Sequence, residues 1–268
     1  MLVLLLGVAG ELRSQNLSPR AYLITPLHAN AVTITWSWYD GGINFDGVVP
    51  IQNGKGTFSV PSIAYTHAFS FFGRSANVNV ALPYMVGNFS GDVLGTQHSV
   101  YRSGLMDMGF RLSVNLKGGP AMTPQEYAKW KQKMILGLSL RVIVPTGQYD
   151  PQRLINPGFN RWACKPEFGY SQRFGKWVLD GYAGVWFYTT NNAFFNPPIP
   201  APQDEAPVGS FEGHLSYNFP KRGMWASLDG NLWFHGTSSV NGVLNPQTTQ
   251  LASRLGGTLA VPVSHTRH

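Results

Sequence analysis

Charged residues are scarce in this sequence: Asp, Glu, Lys and Arg make up 12% of its 268 residues, about half the share in an ordinary soluble domain. No apolar run reaches the ~18 residues that a membrane-spanning helix needs, although 43% of the residues are hydrophobic. Glycine and proline, with 30 and 19 residues, are too frequent for a helix bundle. This low charge and a mean hydropathy of −0.09 are typical of strands in which apolar and polar residues alternate.

Cysteine occurs once, as Cys164, which excludes an internal disulfide and fits a cytosolic and an envelope protein equally well. An excess of basic residues, 20 against 13 acidic ones, gives a net charge of +7. Such a charge suits nucleic acid, an anionic membrane surface or an anion-selective pore. Because the basic residues are scattered along the chain, we expect no nucleic-acid partner.

Alternation of apolar and polar residues is clearest over residues 134–144. Leu136, Leu138 and Leu140 fall on one face of this predicted strand, whereas Ser139 and Arg141 fall on the other. The same pattern recurs along the chain, and the charges stay on the second face. It predicts strands over residues 31–39, 57–69, 76–84, 106–116, 134–144, 162–171, 177–189, 208–219, 224–234 and 251–261.

The predicted connections alternate in length. Short turns at Phe72, Arg173 and Pro220 interleave with long loops, which are predicted over residues 40–56, 86–105, 146–161, the Pro-rich stretch 191–207, and 235–250. This is typical of outer-membrane barrels, which have short periplasmic turns and long external loops. The fold class predicted is therefore all-β, an antiparallel transmembrane β-barrel with ten visible strands and twelve in a complete chain.

One short connection is predicted to contain a helix. Thr123, Pro124 and Glu126 form an N-cap, a proline at the first position and an acidic first turn. We expect a small helical insert running to Trp130, on the periplasmic side.

The two ends of the chain give further expectations. Residues 1–16, an apolar run followed by small residues, resemble a signal-peptide remnant. Residues 17–268 are expected to form the outer-membrane barrel. The last residues, Val-Ser-His-Thr-Arg-His, lack the apolar strand and final aromatic residue usual in such barrels. We therefore expect the C-terminus to be truncated by about a hairpin, with an open edge as the result.

If the apolar faces contact lipid, polar residues line the lumen. Arg or Lys on the lipid face would cost about 2–4 kcal/mol at mid-bilayer, so one-sided charge favours this arrangement. The predicted lumen-lining or solute-binding residues are Asn77, Asn79, Asp107, Arg111, Asn115, Arg141, Lys165, Glu167, Asp180, Glu212, His214, Asp229 and Arg254. They would form either a solute-selecting path or an ion-paired filling of a narrow barrel.

Other chemistry has weaker support in the sequence. Glu212 and His214 share a strand face, but no comparable motif supplies a third ligand, so we predict no metal and no cofactor. The inner-phase aromatic residues Trp186 and Trp233 could stack against a solute, whereas Trp36 is expected to lie at the membrane interface. No catalytic residues are predicted.

Several stretches resemble the family named for the meta pathway of phenol degradation, a group of Gram-negative outer-membrane proteins often called transporters. They are Gly73-Arg74-Ser75-Ala76-Asn77 with Leu82-Pro83-Tyr84; Gly104-Leu105-Met106-Asp107 with Arg111, Asn115 and Leu116; Pro145, Gly147, Tyr149 and Asp150; and Asn156, Gly158, Asn160, Arg161 and Trp162. The resemblance covers the chain from about Leu17 onward. It implies a barrel in the outer membrane and passage of aromatic or other apolar molecules, with no catalytic residues.

The leading hypothesis is an outer-membrane channel, not an enzyme, through which small aromatic or apolar molecules diffuse. Its expected partners are outer-membrane lipid, the solute and the barrel assembly machinery. The alternatives are a soluble periplasmic β-barrel that binds an apolar ligand, and a plugged structural barrel. An envelope lipid hydrolase would need a nucleophile and a base on the lipid-facing wall, where only His67 has an arguable outward phase.

Overall fold

The computed structural model describes residues 18–43, 51–93, 95–220, 223–234, 236–245, 248–249 and 251–262. The predicted signal-peptide remnant and the last six residues lie outside these ranges. The strands are β1 Asn30–Gly42, β2 Ile51–Phe71, β3 Arg74–Val93, β4 Thr96–Leu105, β5 Met108–Lys117, β6 Met134–Val144, β7 Ala163–Phe174, β8 Trp177–Tyr188, β9 Asn191–Phe194, β10 Ala201–Glu205, β11 Val208–Asn218, β12 Trp225–Phe234, β13 Ser238–Val240, β14 Val243–Asn245 and β15 Leu251–Ala260. One helix, α1 Pro124–Lys129, is present in the described ranges.

Ten of these strands form one curled antiparallel sheet, a half-barrel, in the order β1-β2-β3-β5-β6-β7-β8-β11-β12-β15. They coincide with the ten predicted segments, so the prediction of an antiparallel all-β architecture is confirmed. β4 branches from this sheet by pairing with the second half of β3. Within the described residues, β1 and β15 each have a neighbour on one side only. The expectation of twelve strands in a complete chain stays a prediction.

The two faces of the sheet differ in polarity. In β6, Leu138 and Leu140 are 46% and 45% exposed, whereas Ser139 between them is 7% exposed. Every strand of the half-barrel presents large exposed hydrophobic side chains, among them Ile34, Ile63, Leu82, Leu112, Leu138, Phe168, Leu179, Leu215, Leu228 and Leu255. The concave face carries the buried polar side chains. This is the reverse of a soluble domain and the arrangement that a lipid environment favours.

The ends of the sheet also differ. Phe72 and Gly73, with φ of 48° and 75°, form the tight β2–β3 turn, since a two-residue type I′ turn needs positive φ at both positions. The β7–β8 and β11–β12 turns lie at the same end. The opposite end carries the long connections, so the predicted alternation is confirmed.

The helical insert has the predicted caps. Thr123 and Glu126 form a capping box, Pro124 is the first helical residue, and Trp130 is the C-cap. No helix in the described part of the chain is long and apolar enough to cross a membrane. The periplasmic position of the insert stays a prediction.

Four predicted loops, 40–56, 86–105, 191–207 and 235–250, contain strand residues, so these assignments were wrong. β1 and β2 extend into the first of them, and β13 and β14 lie in the last. The stretch 86–105 continues β3 and adds β4, which together form a long hairpin. The Pro-rich stretch contains β9 and β10, which join β13 and β14 in a separate four-stranded sheet. β3 has 20 residues and β2 has 21, about twice the 9–11 needed to span a bilayer. Both strands therefore extend well beyond the length of one span.

Candidate functional site

All thirteen predicted lumen residues belong to the polar face of the half-barrel or its rim. Asp107, Asn115, Lys165, Glu167, Asp180, Glu212, His214 and Asp229 are buried, and Asn77, Asn79, Arg111, Arg141 and Arg254 are half-buried. The positions follow from strand phase, because every second residue points to the same side. Their role in solute passage stays a prediction.

A row of three cations crosses neighbouring strands. Arg111 lies directly opposite Arg141, and Arg141 lies directly opposite Lys165. The Nζ of Lys165 lies 2.5 Å from Glu167 and 3.3 Å from Glu212, and the guanidinium of Arg111 lies 3.5 Å from Glu167. Within the described ranges, Arg141 in the middle of the row makes no hydrogen bond or ion pair. Glu167 and Glu212 therefore pair directly with the two ends of the row, whereas they act on Arg141 at its centre only from beyond 4 Å.

A second cluster joins the last three strands of the sheet. His214 Nδ1 lies 2.9 Å from Asp229 Oδ1, and its Nε2 lies 3.7 Å from Glu212 Oε2. Asp229 also accepts hydrogen bonds from Ser227 at 2.8 Å and Thr258 at 2.7 Å. Among the described residues no group of three His, Cys, Asp or Glu side chains is placed to hold a metal ion. The cluster thus connects strands through hydrogen bonds.

The segment 18–29, which precedes β1, runs along the concave face. Tyr22 and Ile24 are 1% and 0% exposed and pack with Tyr182, Met122 and Ile135. At the turn end, the backbone N–H of Leu27 donates to the carbonyl of Met122. The segment therefore fills part of the space that the sheet encloses.

Tyr22 contacts Arg111 of the cation row and the carboxylate that pairs with that row, Glu167. Its hydroxyl lies 3.0 Å from Ser139 Oγ and 3.1 Å from Glu167 Oε1. The guanidinium of Arg111 lies over its ring, 5.0 Å from the centroid, and Asn115 donates to its carbonyl at 3.2 Å. These contacts tie the segment to three adjacent strands.

Two glycines make room for the Tyr22 ring. Gly137 and Gly169 lie directly opposite each other on β6 and β7. An added Cβ would lie 2.3 Å from Tyr22 Cδ1 at Gly137, and 2.0 Å from Tyr22 Cε2 at Gly169. Close approach of the ring to the sheet therefore requires glycine at both positions.

Asp107 differs from the other predicted lumen residues because both its carboxylate oxygens bind a loop. They accept hydrogen bonds at 2.8 Å from the backbone N–H groups of Gly147 and Phe159. Burial raises the pKa of Asp107, and these donors act against that rise. Asp107 thus holds the connection between β6 and β7 over the barrel end.

A cavity of about 150 Å³ opens on the concave face beside the cation row. Arg111 and Arg141 lie in its wall, together with hydroxyl-bearing and apolar side chains from β1, β2 and β3 and from the connection between β4 and β5. The lining includes Thr35, Ser37, Tyr39, Phe58, Val60, Ser62, Asn79, Pro83, Met106, Asp107, Arg111, Arg141 and Ile143. A small molecule in this cavity would meet both cationic and apolar groups.

The aromatic side chains divide as the strand phase predicts. Trp186 and Trp233 are buried on the concave side, 3% and 6% exposed. Lys165 lies over the Trp186 ring and Arg254 over the Trp233 ring, so both rings already have cation partners. Trp36 is 65% exposed on the opposite face.

A family model described as "Putative MetA-pathway of phenol degradation" matches residues 32–267. The chain belongs to this family. Among solved structures, it is similar to an outer membrane channel from Pseudomonas putida F1, with a TM-score of 0.71 and 16% sequence identity over 93% of this chain and 88% of that one. No curated protein matches it significantly. At this identity the structural similarity shows a shared fold.

In this family member the strand phases place the charged residues on the concave face. They do not predict that Tyr22, Ser139 and Arg20 make contacts there. Tyr22 and Ser139 bond each other and Glu167, and Arg20 donates a hydrogen bond to Asn218 at 2.8 Å. Segment 18–29 has no strand periodicity. The signal that could have located its docking site is a pair of inner-phase glycines, at positions 137 and 169.

Proposed function

We propose that this chain is an outer-membrane channel through which small aromatic or apolar molecules diffuse. The observation that carries the proposal is the polarity of the half-barrel, apolar on the convex face and charged on the concave face. A soluble ligand-binding barrel would have the opposite arrangement. Family membership and the fold shared with an outer membrane channel support the same function.

Segment 18–29 gives this channel a constriction. Tyr22 and Ile24 occupy the concave side at the level of Ile135 and Tyr182. A diffusing molecule therefore passes between the segment and the strands β1–β3, where the cavity lies. The path is narrow and has a polar wall at the cation row.

The proposal includes the outer membrane of a Gram-negative bacterium as location, with its lipid and the barrel assembly machinery as partners. The exposed hydrophobic side chains of the convex face support the contact with lipid. Similarity to an outer membrane channel supports the location. The fold shared with an outer membrane channel supports transport as the role of the chain. We assign no catalytic residue.

Single-channel recording in a planar bilayer tests this function. The protein is refolded in detergent, and its folding is checked by heat-modifiable gel mobility. We expect steady conductance steps, and Arg141→Trp is expected to reduce them because a bulkier side chain enters the cavity. Arg173→Trp, the same replacement at an exposed position at the turn end of β7 and outside the cavity, serves as control. A folded protein without conductance would contradict the channel and leave the plugged barrel.

A further inference from the structure

We propose that the cavity beside the cation row binds a small carboxylate with an aromatic or apolar body, and that Arg141 and Arg111 hold the carboxylate. The inference rests on the proposed function, since it names the class of solute that the path takes. It is carried by three features of the concave face: an unpaired cation, the composition of the cavity wall, and the size of the cavity.

The first feature is the charge of the row. Like charges directly opposite each other on neighbouring strands destabilise a sheet, and Arg141 has a cation on both sides, Arg111 and Lys165. Glu167 and Glu212 neutralise those two neighbours. Arg141 has no carboxylate within 4 Å in the described ranges. One monovalent anion would complete the balance.

The carboxylates nearby do not take that place. Asp107 lines the cavity, but both its oxygens accept hydrogen bonds from loop backbone. Glu212 is shared between Lys165 and His214. The guanidinium of Arg141 therefore faces the cavity with free donors, beside the Nη2 of Arg111, which also has no hydrogen-bond partner among the described residues. The planar fork of such a group matches a carboxylate.

The second feature is the apolar part of the wall. Tyr39 and Phe58 stack with ring centroids 4.6 Å apart, and Phe58 stacks on Phe89 at 5.5 Å. Tyr39 and Phe58 line the cavity together with Val60 and Ile143. A fully hydrated inorganic anion gains little from such a wall, whereas a solute with an apolar body buries surface there.

The third feature is size. The cavity measures about 150 Å³, and an apolar cavity of about this volume is known to hold a benzene ring. The hydroxyl groups of Thr35, Ser37 and Ser62 add donors and acceptors along the same wall. The site thus fits one ring or a short aliphatic chain that carries a single carboxylate.

Isothermal titration of the refolded full chain in detergent tests the site with three probes of one shape: benzoate, neutral benzamide and cationic benzylammonium. We expect benzoate to bind at least about tenfold more tightly than benzamide, because charge-assisted hydrogen bonds are the stronger ones. Benzylammonium is expected not to bind. Equal binding of benzoate and benzamide would overturn the inference, and this comparison needs no variant.

Two arginine variants locate the site. Arg141→Gln is expected to weaken benzoate binding at least about tenfold and to leave benzamide binding unchanged. Arg173→Gln loses the same charge at an exposed position at the turn end of β7, outside the cavity, and is expected to bind benzoate as the parent does. Equal loss in both variants would overturn the assignment to Arg141, because the effect would then be general electrostatics.

The outcome is independent of the channel experiment. Benzoate binding without conductance would refute the channel and keep the site. Conductance without benzoate binding would keep the channel and refute the site.

Discussion

Replacement of Gly169 by alanine is expected to displace Tyr22 from the concave face. The added Cβ would lie 2.0 Å from Cε2, 2.4 Å from Cδ2 and 2.5 Å from Cζ of the Tyr22 ring. Carbon atoms in van der Waals contact lie about 3.5–4.0 Å apart, so a methyl group and the ring cannot both occupy this space. Gly137 faces the ring from the neighbouring strand with a similar clearance, which prevents the ring from moving sideways.

The magnitude follows from what the ring loses. Removal of a buried aromatic side chain costs about 3–5 kcal/mol, and the Tyr22 ring is 1% exposed. The released hydroxyl exchanges its hydrogen bonds with Ser139 and Glu167 for hydrogen bonds with water. We therefore take the lower end of this range, about 3 kcal/mol, as the free-energy cost. About 3 kcal/mol shifts the docking equilibrium of segment 18–29 roughly a hundredfold toward the released state.

Two measurements report the release. Trypsin is expected to cleave after Arg20 in the variant much faster than in the parent, because docked Arg20 is held by Asn218 and lies over Trp225. Single-channel conductance is expected to rise as the constriction opens. Gly181→Ala is the matched control, since a Cβ there has no atom within 4 Å.

Equal cleavage rates and equal conductances of Gly169→Ala and Gly181→Ala would refute the displacement of Tyr22. A second variant makes the test specific. In a chain that already carries Tyr22→Gly, Gly169→Ala is expected to cause almost no further cleavage, because the clash no longer exists. An undiminished effect in that background would show that the glycine acts on the strand itself.

Two further predictions concern the barrel end and the convex face. Asp107→Ala removes the acceptor of two loop N–H groups and is expected to speed proteinase cleavage within residues 145–162. Asp40→Ala, at an exposed carboxylate, is the control and is expected to leave this cleavage rate unchanged. Equal cleavage rates in the two variants would contradict the role of Asp107 in holding the loop. Leu138→Arg is expected to lower the free energy of unfolding in lipid by about 2–4 kcal/mol, measured by urea titration in vesicles. Leu244→Arg, in the small sheet, is the control, and a similar loss there would argue against a lipid-facing position for Leu138.

The strands of the half-barrel could be predicted because lipid enforces their pattern. Leu138 must face lipid and Arg141 must not, so the period of two is almost uninterrupted through β6. Outside the bilayer that penalty disappears. β10 begins Ala-Pro and β4 contains His98 and Tyr101 without regular alternation, and both were predicted as loop.

For the residues of the concave face, the sequence predicts which face each one lies on but not which partners it contacts. Strand phase places Arg111 and Glu167 on the same side, but their ion pair depends on the stagger between β5 and β7. The contact of Tyr22 with Ser139 joins residues 117 apart in sequence. No local pattern encodes such a distance, so the constriction became visible only in the folded chain.

The cation row also bears on how the sheet finds its pairing. A slip of one residue between two strands turns every side chain of the moving strand to the other face. For β6 or β7 such a slip would carry Arg141 or Lys165 into lipid, at a cost of about 2–4 kcal/mol each, and would bring leucines inward. Charges on consecutive strands thus penalise misaligned intermediates during insertion, so the cation row also favours correct alignment of the strands that carry it.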